Sequence, residues 1–205
     1  NTIIIMELDN IIYPGFNKTL SELNAISKIK KKSCEIVDLT EIEWVRDVLR
    51  HRVEEVGTYD IKFRKPTDEE IKSVSEIVGA DINIDELKNN FHKNKRIIGI
   101  TSGKGGVGKS TITSLLGIAF DELGKKVGIM DSDIWGYSVP KILGAKFPPI
   151  PFNERIFPSR INNLNVISMD YFVKQDEAVI WRGPMLHKAI EQFLFEVLWH
   201  DIDVL

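Results

Sequence analysis

Cysteine is almost missing from the chain: Cys34 is the single one in 205 residues. An internal disulfide is therefore impossible, one cysteine cannot by itself hold a four-iron cluster, and the usage fits a reducing, cytoplasmic compartment. Long apolar runs are missing too. Nothing approaches the roughly 18–20 residues that a membrane-spanning helix needs. The opening Asn-Thr-Ile-Ile-Ile-Met lacks the basic front and small-residue cleavage site of a signal peptide. It also lacks an initiator Met, so the start is expected to be trimmed or incomplete. An excess of one charge is absent: 27 Lys and Arg against 30 Asp and Glu leave −3, with no strongly basic half. That removes the electrostatic footprint of a nucleic-acid or membrane-surface partner. No internal repeat is found. What the chain does have is 43% apolar residues, enough for a globular core. Its length suits one sizeable domain, or a small domain plus part of a larger one.

Two units are expected, joined by a linker. Residues 1–79 read as a small α+β domain. An apolar stretch from Ile3 to Ile12 ends at the turn pair Pro14-Gly15. Strands are predicted near Asn24–Lys30 and Ser33–Leu39, and Lys30-Lys31-Lys32 between them reads as a solvated hairpin turn rather than a phosphate or nucleic-acid patch. A helix is predicted from a capping box of Thr40 and Glu43, with Ile42, Val45, Val48, Leu49, Val53 and Val56 at helical spacing and Gly57 as its stop. Tyr59, Ile61 and Phe63 alternate as in a half-buried strand. A second capping box, Thr67 to Glu70, opens a shorter helix that Gly79 ends. Cys34 is expected to be a small core residue, and His51 and His92 surface residues. The polar stretch 80–95 reads as the linker.

Residues 96–205 read as α/β. Ile97 to Thr101 is a short apolar run, as in a strand buried on both faces. After a glycine-rich loop, Ile112, Leu115, Leu116, Ala119 and Leu123 predict one apolar helix face. A second buried strand, Val127 to Met130, completes a right-handed βαβ unit. Further elements are predicted at Asn165–Met169 (strand), Pro184–Trp199 (helix) and from Asp203 (strand).

The glycine-rich loop carries the chemistry. Gly103-Lys104-Gly105-Gly106-Val107-Gly108-Lys109-Ser110 fits G-x-x-x-x-G-K-[ST]. Glycines let backbone N–H groups curl around phosphate oxygens, and the helix start aims its partial positive charge at them. Lys109 supplies a full charge to the β- and γ-phosphates, and Ser110 offers its hydroxyl to Mg²⁺. A predicted strand before the loop and helix after it are the context the motif demands. Asp131 stands at the carboxyl end of the next strand, expected beside the P-loop strand, where open α/β sheets place ligands. Asp133 follows it. Alone, Asp131 reads as a helix-capping residue; beside a triphosphate, the two carboxylates suit Mg²⁺, its waters and the attacking water.

With Lys104 directly after the first glycine, the segment Gly103 to Thr111 resembles the deviant P-loop of the MinD/ParA/nitrogenase-iron-protein class. The resemblance implies that the whole segment binds ATP. It implies that Lys104 reaches across a homodimer to the partner's nucleotide, where it stabilises charge in phosphoryl transfer beside Lys109. It also places Asp131 near the water shell of Mg²⁺ and has Asp133 orient the nucleophile. Two markers narrow the resemblance to the Mrp/ApbC-type iron–sulfur cluster carriers: Asp131 to Pro140, with Tyr137 where that family usually has Pro, and Trp181-Arg182-Gly183-Pro184-Met185 followed by Gln192-Phe193 and Trp199. That family implies an ATP-hydrolysing homodimer that carries an iron–sulfur cluster to apoproteins. Its small first domain usually has a Cys-Pro pair after a helix-starting Thr; Thr40 is followed here by Glu41-Ile42-Glu43-Trp44, which removes the support for a metal role there.

Relatives continue from the strand at Asp203 into an Asp-x-Pro-Pro-Gly-Thr-Gly-Asp segment and, later, a cluster-binding Cys-x-x-Cys. Neither is present, so the P-loop sheet is expected to be incomplete, and these 205 residues alone to be poorly soluble and inactive as an ATPase. The competing readings are a ParA/MinD-type positioning ATPase and an inactive nucleotide-binding fragment.

Overall fold

The computed structural model describes residues 7–30, 33–57, 59–91, 95–133, 136, 138–172, 183–199 and 202–205. Residues 1–81 with 151–154 form one compact unit, and residues 82–150 with 155–205 a second. No helix among the described residues is long and apolar enough to cross a membrane.

In the first unit Pro14-Gly15 turns a hairpin of β1 (Ile12–Tyr13) and β2 (Lys18–Thr19), where the sequence announced only a turn. A three-stranded sheet follows: β3 (Ile26–Lys30), β4 (Ser33–Val37) and β5 (Asp60–Arg64), in that order. The β3–β4 pair is antiparallel and β4–β5 parallel. The parallel step is made by α1 (Glu43–Val56), which buries Val45, Leu49 and Val53. Cys34 is buried in β4, and desolvation pushes its thiol up. Lys31 and Lys32 of the expected turn, and His92, lie outside the described residues.

The helix start differs from expectation. Ile42, not Thr40, is the N-cap of α1 and makes no side-chain cap, and Glu43 is the first helical residue. The reason is Asp38, buried next door. Its Oδ1 accepts the Glu41 N–H at 2.9 Å, and its Oδ2 takes the Arg46 guanidinium at 2.6 Å. This turn, with Glu41 at φ +56°, takes up the residues a capping box would have used.

The second capping box is present. In α2 (Asp68–Val78) the Thr67 hydroxyl accepts the Glu70 N–H, Glu70 accepts the Thr67 N–H, and Gly79 ends the helix at φ +65°. Arg64 grips the same Glu70 with two bonds of 2.8 and 2.6 Å. The guanidinium, and then the Thr67 N–H, hold the Glu70 carboxyl down at about 2 against an ordinary 4.5. A carboxyl lowered by folding stabilises the fold fully above its ordinary value. That contribution fades as pH falls from 4.5 through about 2.

The second unit opens with a helix where the sequence suggested a linker. Asn83 caps α3 (Ile84–Asn90) by accepting the Asp85 N–H, and Asp85 and Glu86 fill the first turn. Lys88 pairs with Glu191 at 2.5 Å, and the Phe91 ring meets Phe195 edge-on at 5.4 Å. Polar composition concealed a helix held by an ion pair and a ring contact.

The sheet of this unit is built from β6 (Gly128–Asp131), β9 (Ser159–Ile161) and β10 (Leu164–Ser168). Two short strands, β7 (Ile150–Phe152) and β8 (Arg155–Phe157), precede β9. β10 runs parallel to β6, with Ser168 opposite Asp131, and antiparallel to β9. β7, β8 and β9 were not expected. On the other side of β6, Val204 pairs in parallel with both Val127 and Arg96. Residues 203–205 therefore lie between β6 and the segment leading to the P-loop, and β6 is not the neighbour of that segment, as the sequence suggested. The segment is exposed rather than buried on both faces, with Ile97 46% and Ile98 39% accessible.

Helix α4 (Lys109–Glu122) also departs from its pattern. Its buried positions are Ser114 and Gly117, while Leu115 is 60% and Leu123 74% exposed. Small residues let the helix lie close on β6: a Cβ on Gly117 would fall 2.6 Å from the Ile129 side chain. The apolar stripe points away from that contact. Beyond lie α5 (Val139–Leu143), a 3-10 turn (Met169–Tyr171) and α6 (Gly183–Phe195). Trp199 lies past the end of α6 and joins Phe91, Ile167, Met169, Phe193 and Ile202 in one core.

Two substitutions probe these cores. Thr67→Ala should cost about 1 kcal/mol of stability by removing the α2 cap, read by urea unfolding followed by circular dichroism. Gly128→Ala puts a Cβ 2.8 Å from the Trp199 ring, which is buried and pinned by its indole N–H to the Phe193 carbonyl. A rigid ring cannot give way, so the change should cost about 1–3 kcal/mol, seen as a lower thermal midpoint.

Candidate functional site

The loop before α4 is shaped by two glycines of positive φ, Gly106 at +73° and Gly108 at +95°. Gly108 delivers the chain into the first turn of α4. Gly103 and Gly105 need no special backbone conformation, and a Cβ on either would meet nothing within 4 Å. The chain itself gives no reason for glycine there; open space above a backbone is what a close-lying ligand requires. The Ser102 hydroxyl donates to the Lys104 carbonyl at 2.8 Å. Lys104, Gly105, Gly106 and Val107 are all exposed.

At the start of α4 a pocket of about 330 Å³ brings together Lys109, Ser110, Thr113, Asp131 and Asp133. Lys109 Nζ lies 3.6 Å from Asp133 Oδ2. Asp133 Oδ1 accepts the Gly136 N–H at 3.1 Å. Of the residues singled out from sequence, Lys109, Ser110, Asp131 and Asp133 thus share one wall of space. Lys104 does not line it, and Thr111 lies on the exposed side of α4. Ile134, Trp135, Tyr137, Trp181 and Arg182 lie outside the described residues.

The two carboxylates differ. Asp131 is 6% exposed. Its Oδ2 accepts the Ser138 N–H at 3.2 Å, the Val139 N–H at 3.3 Å and the Ser168 hydroxyl at 3.2 Å. Its Oδ1 accepts the Asp133 N–H at 3.3 Å. Burial pushes the Asp131 carboxyl up, and these four donors pull it back part of the way. The helix-capping role open to Asp131 is realised: it satisfies two N–H groups at the start of α5, which Ser138 leaves uncapped. Asp133, with a side chain 32% exposed, is held by less.

Phosphate oxygens fit the loop, because exposed backbone, Lys109 and the start of a 14-residue helix converge there. Mg²⁺ fits the oxygen donors. Ser110 lines the pocket, and Asp131, its Oδ2 already accepting three bonds, has capacity left on Oδ1 for a contact through water. Ser168 was not singled out from sequence. The rule that ligands gather at the carboxyl ends of parallel strands pointed to it, since it closes β10 beside Asp131.

The profile of the ParA family of NUBPL iron-transfer P-loop NTPases matches residues 93–205. Among curated proteins, an iron–sulfur cluster carrier protein of Helicobacter pylori is 32% identical over 98% of the chain, and one of Aquifex aeolicus 33% identical over 93%. One of Mycobacterium leprae is 46% identical over 54% of the chain. The matches cover 55%, 57% and 29% of those relatives, so the chain spans little more than half their length at most. Among solved structures, a nucleotide-binding protein from Archaeoglobus fulgidus in complex with ADP aligns with a TM-score of 0.48. It is 31% identical and covers 60% of this chain and 47% of that one.

The unequal burial of the carboxylates has a consequence for stability without ligand. Asp131→Ala strands three backbone N–H groups and the Ser168 hydroxyl, and should destabilise the protein by about 2–3 kcal/mol. Asp133→Ala removes a partly exposed ion pair and should change stability by under about 1 kcal/mol. Thermal unfolding of both variants in ligand-free buffer separates them.

Proposed function

Because this chain belongs to the NUBPL iron-transfer P-loop NTPase family, we propose that it serves an ATP-hydrolysing iron–sulfur cluster carrier that hands clusters to apoproteins. The observation that carries this reading is the shared pocket of Lys109, Ser110, Asp131 and Asp133 beside a glycine loop whose cradle the chain leaves open.

In this reading the backbone N–H groups of Gly103 to Gly108 and the N-terminus of α4 receive the phosphate oxygens, and Thr111 belongs to the same binding segment. Lys109 exchanges its contact with Asp133 for the β- and γ-phosphates. Asp133, relieved of that partner, orients the attacking water. Ser110 and, through water, Asp131 would hold Mg²⁺. When bound, the ion neutralises charge on the phosphates. Lys104, exposed and outside the pocket, suits a contact made to the nucleotide of a second copy in a homodimer.

The cluster is cargo. Cys34, buried in β4 with its thiol pushed up, is a poor thiolate. In this reading the cluster ligands are cysteines other than Cys34, and the carrier works in the cytoplasm with no nucleic-acid or membrane partner.

Lys109→Ala should weaken binding of a fluorescent ATP analogue by about 100-fold, within the range for truncating one partner of a hydrogen-bonded charge pair. Lys104→Ala should keep nucleotide affinity while abolishing hydrolysis in the complete protein. Anaerobic reconstitution with iron and sulfide, followed by transfer to an apo-ferredoxin, tests the carrier role. A complete protein that binds ATP but never holds or passes on a cluster sinks it. Salt-sensitive DNA or liposome binding by such a protein would favour a positioning ATPase.

A further inference from the structure

Among the described residues the donors around Asp131 include one side chain, and nothing in the phosphate-loop reading accounts for it. Ser168 is fully buried at the end of β10, opposite Asp131 in the parallel ladder. Partners in such a ladder turn their side chains to the same face, so the pairing alone brings the hydroxyl to the carboxylate. The hydroxyl is committed on both sides. Its oxygen accepts the Asp170 N–H at 3.2 Å, at the start of the 3-10 turn, while its proton points to Asp131 Oδ2, also at 3.2 Å. The Asp170 bond favours the rotamer that keeps the Ser168 proton on Asp131.

Resting on the reading of this pocket as a Mg²⁺–nucleotide site, we propose that Ser168 is a positioning residue that fixes the Asp131 carboxylate, with Oδ2 tied down and Oδ1 available to the metal's water shell. The two α5 N–H groups arrive from a loop that begins at Asp131 itself and follow whatever that loop does. Ser168 is anchored independently, in the neighbouring strand. It sets the torsion of the carboxylate against the sheet, the frame that also carries the P-loop segment through residues 203–205. Groups that orient a metal's carboxylate without touching the metal typically carry about 10–100-fold of its affinity.

The test is a Mg²⁺ titration of fluorescent-ATP binding by the whole chain, with a parallel titration in EDTA. Ser168→Ala should raise the Mg²⁺ concentration for half-saturation about 10-fold and leave the Mg²⁺-free nucleotide affinity unchanged. Ser159→Ala is the control. Ser159 is also buried, on β9 of the same sheet, and its hydroxyl donates to the Phe147 carbonyl. Losing it should not move the Mg²⁺ midpoint. An unshifted midpoint in Ser168→Ala overturns the inference alone. So does an equal shift in Ser159→Ala, or a matching loss of affinity in EDTA, since either marks general loosening. A wild-type chain that binds no nucleotide with Mg²⁺ overturns the functional reading as well.

Discussion

The proposed phosphate site depends on where residues 203–205 lie. They hydrogen-bond to the P-loop segment on one side, through Arg96 and Ile98, and to Lys126 and Gly128 on the other. Neighbouring strands stand about 4.8 Å apart, so β6 sits roughly two spacings, about 10 Å, from the segment that launches the loop. That gap separates the glycine cradle from the acidic end of β6. Lys109, leaving the first turn of α4, bridges it to Asp133. Asp203 reinforces the arrangement by accepting the Lys126 N–H at 2.9 Å. The short segment therefore sets the width of the site without lining it.

Across that gap the two carboxylates divide by burial. Removing a charge from water is costly unless hydrogen bonds replace the lost hydration. Asp131 meets that condition with four donors from three places: its own loop, the start of α5 and β10. Such a group is rigid before any ligand arrives. Asp133 keeps contact with water and with Lys109, the lysine that the proposed reading gives to phosphate. One fixed acid and one exchangeable acid, two residues apart, follow from a strand that ends between them.

The sequence was most legible where a local interaction is also the strongest one available. Thr67 and Glu70 form their box because Arg64 grips the same glutamate and nothing competes. The loop from Gly103 to Ser110 was legible because its residue spacing is fixed, and Gly106 and Gly108 take the positive φ that its turn into the helix uses. Thr40 fails as a cap because buried Asp38, paired with Arg46, already accepts the Glu41 N–H. Two further misreadings were topological. Periodicity marked the apolar stripe of α4 but could not say that Ser114 and Gly117 would face β6. The order of strands is likewise invisible to periodicity, so residues 203–205 went unrecognised as an intruder between expected neighbours. Helix α3 hid because its hold comes from Phe91 and Lys88 meeting residues about a hundred positions away.

Gly103 and Gly105 give the loop an unusual evolutionary position. Neither is demanded by the fold, and glycine leaves the unfolded chain more disorder to lose than alanine does. Alanine at either site would find room in the unliganded protein and would be expected to stabilise it. A lineage or a laboratory selection that rewarded thermal robustness alone would drift toward alanine here and fill the cradle, with no sign of damage in the resting state. Glycine at these two positions would then be a record of selection by a ligand, kept against the preference of the fold itself.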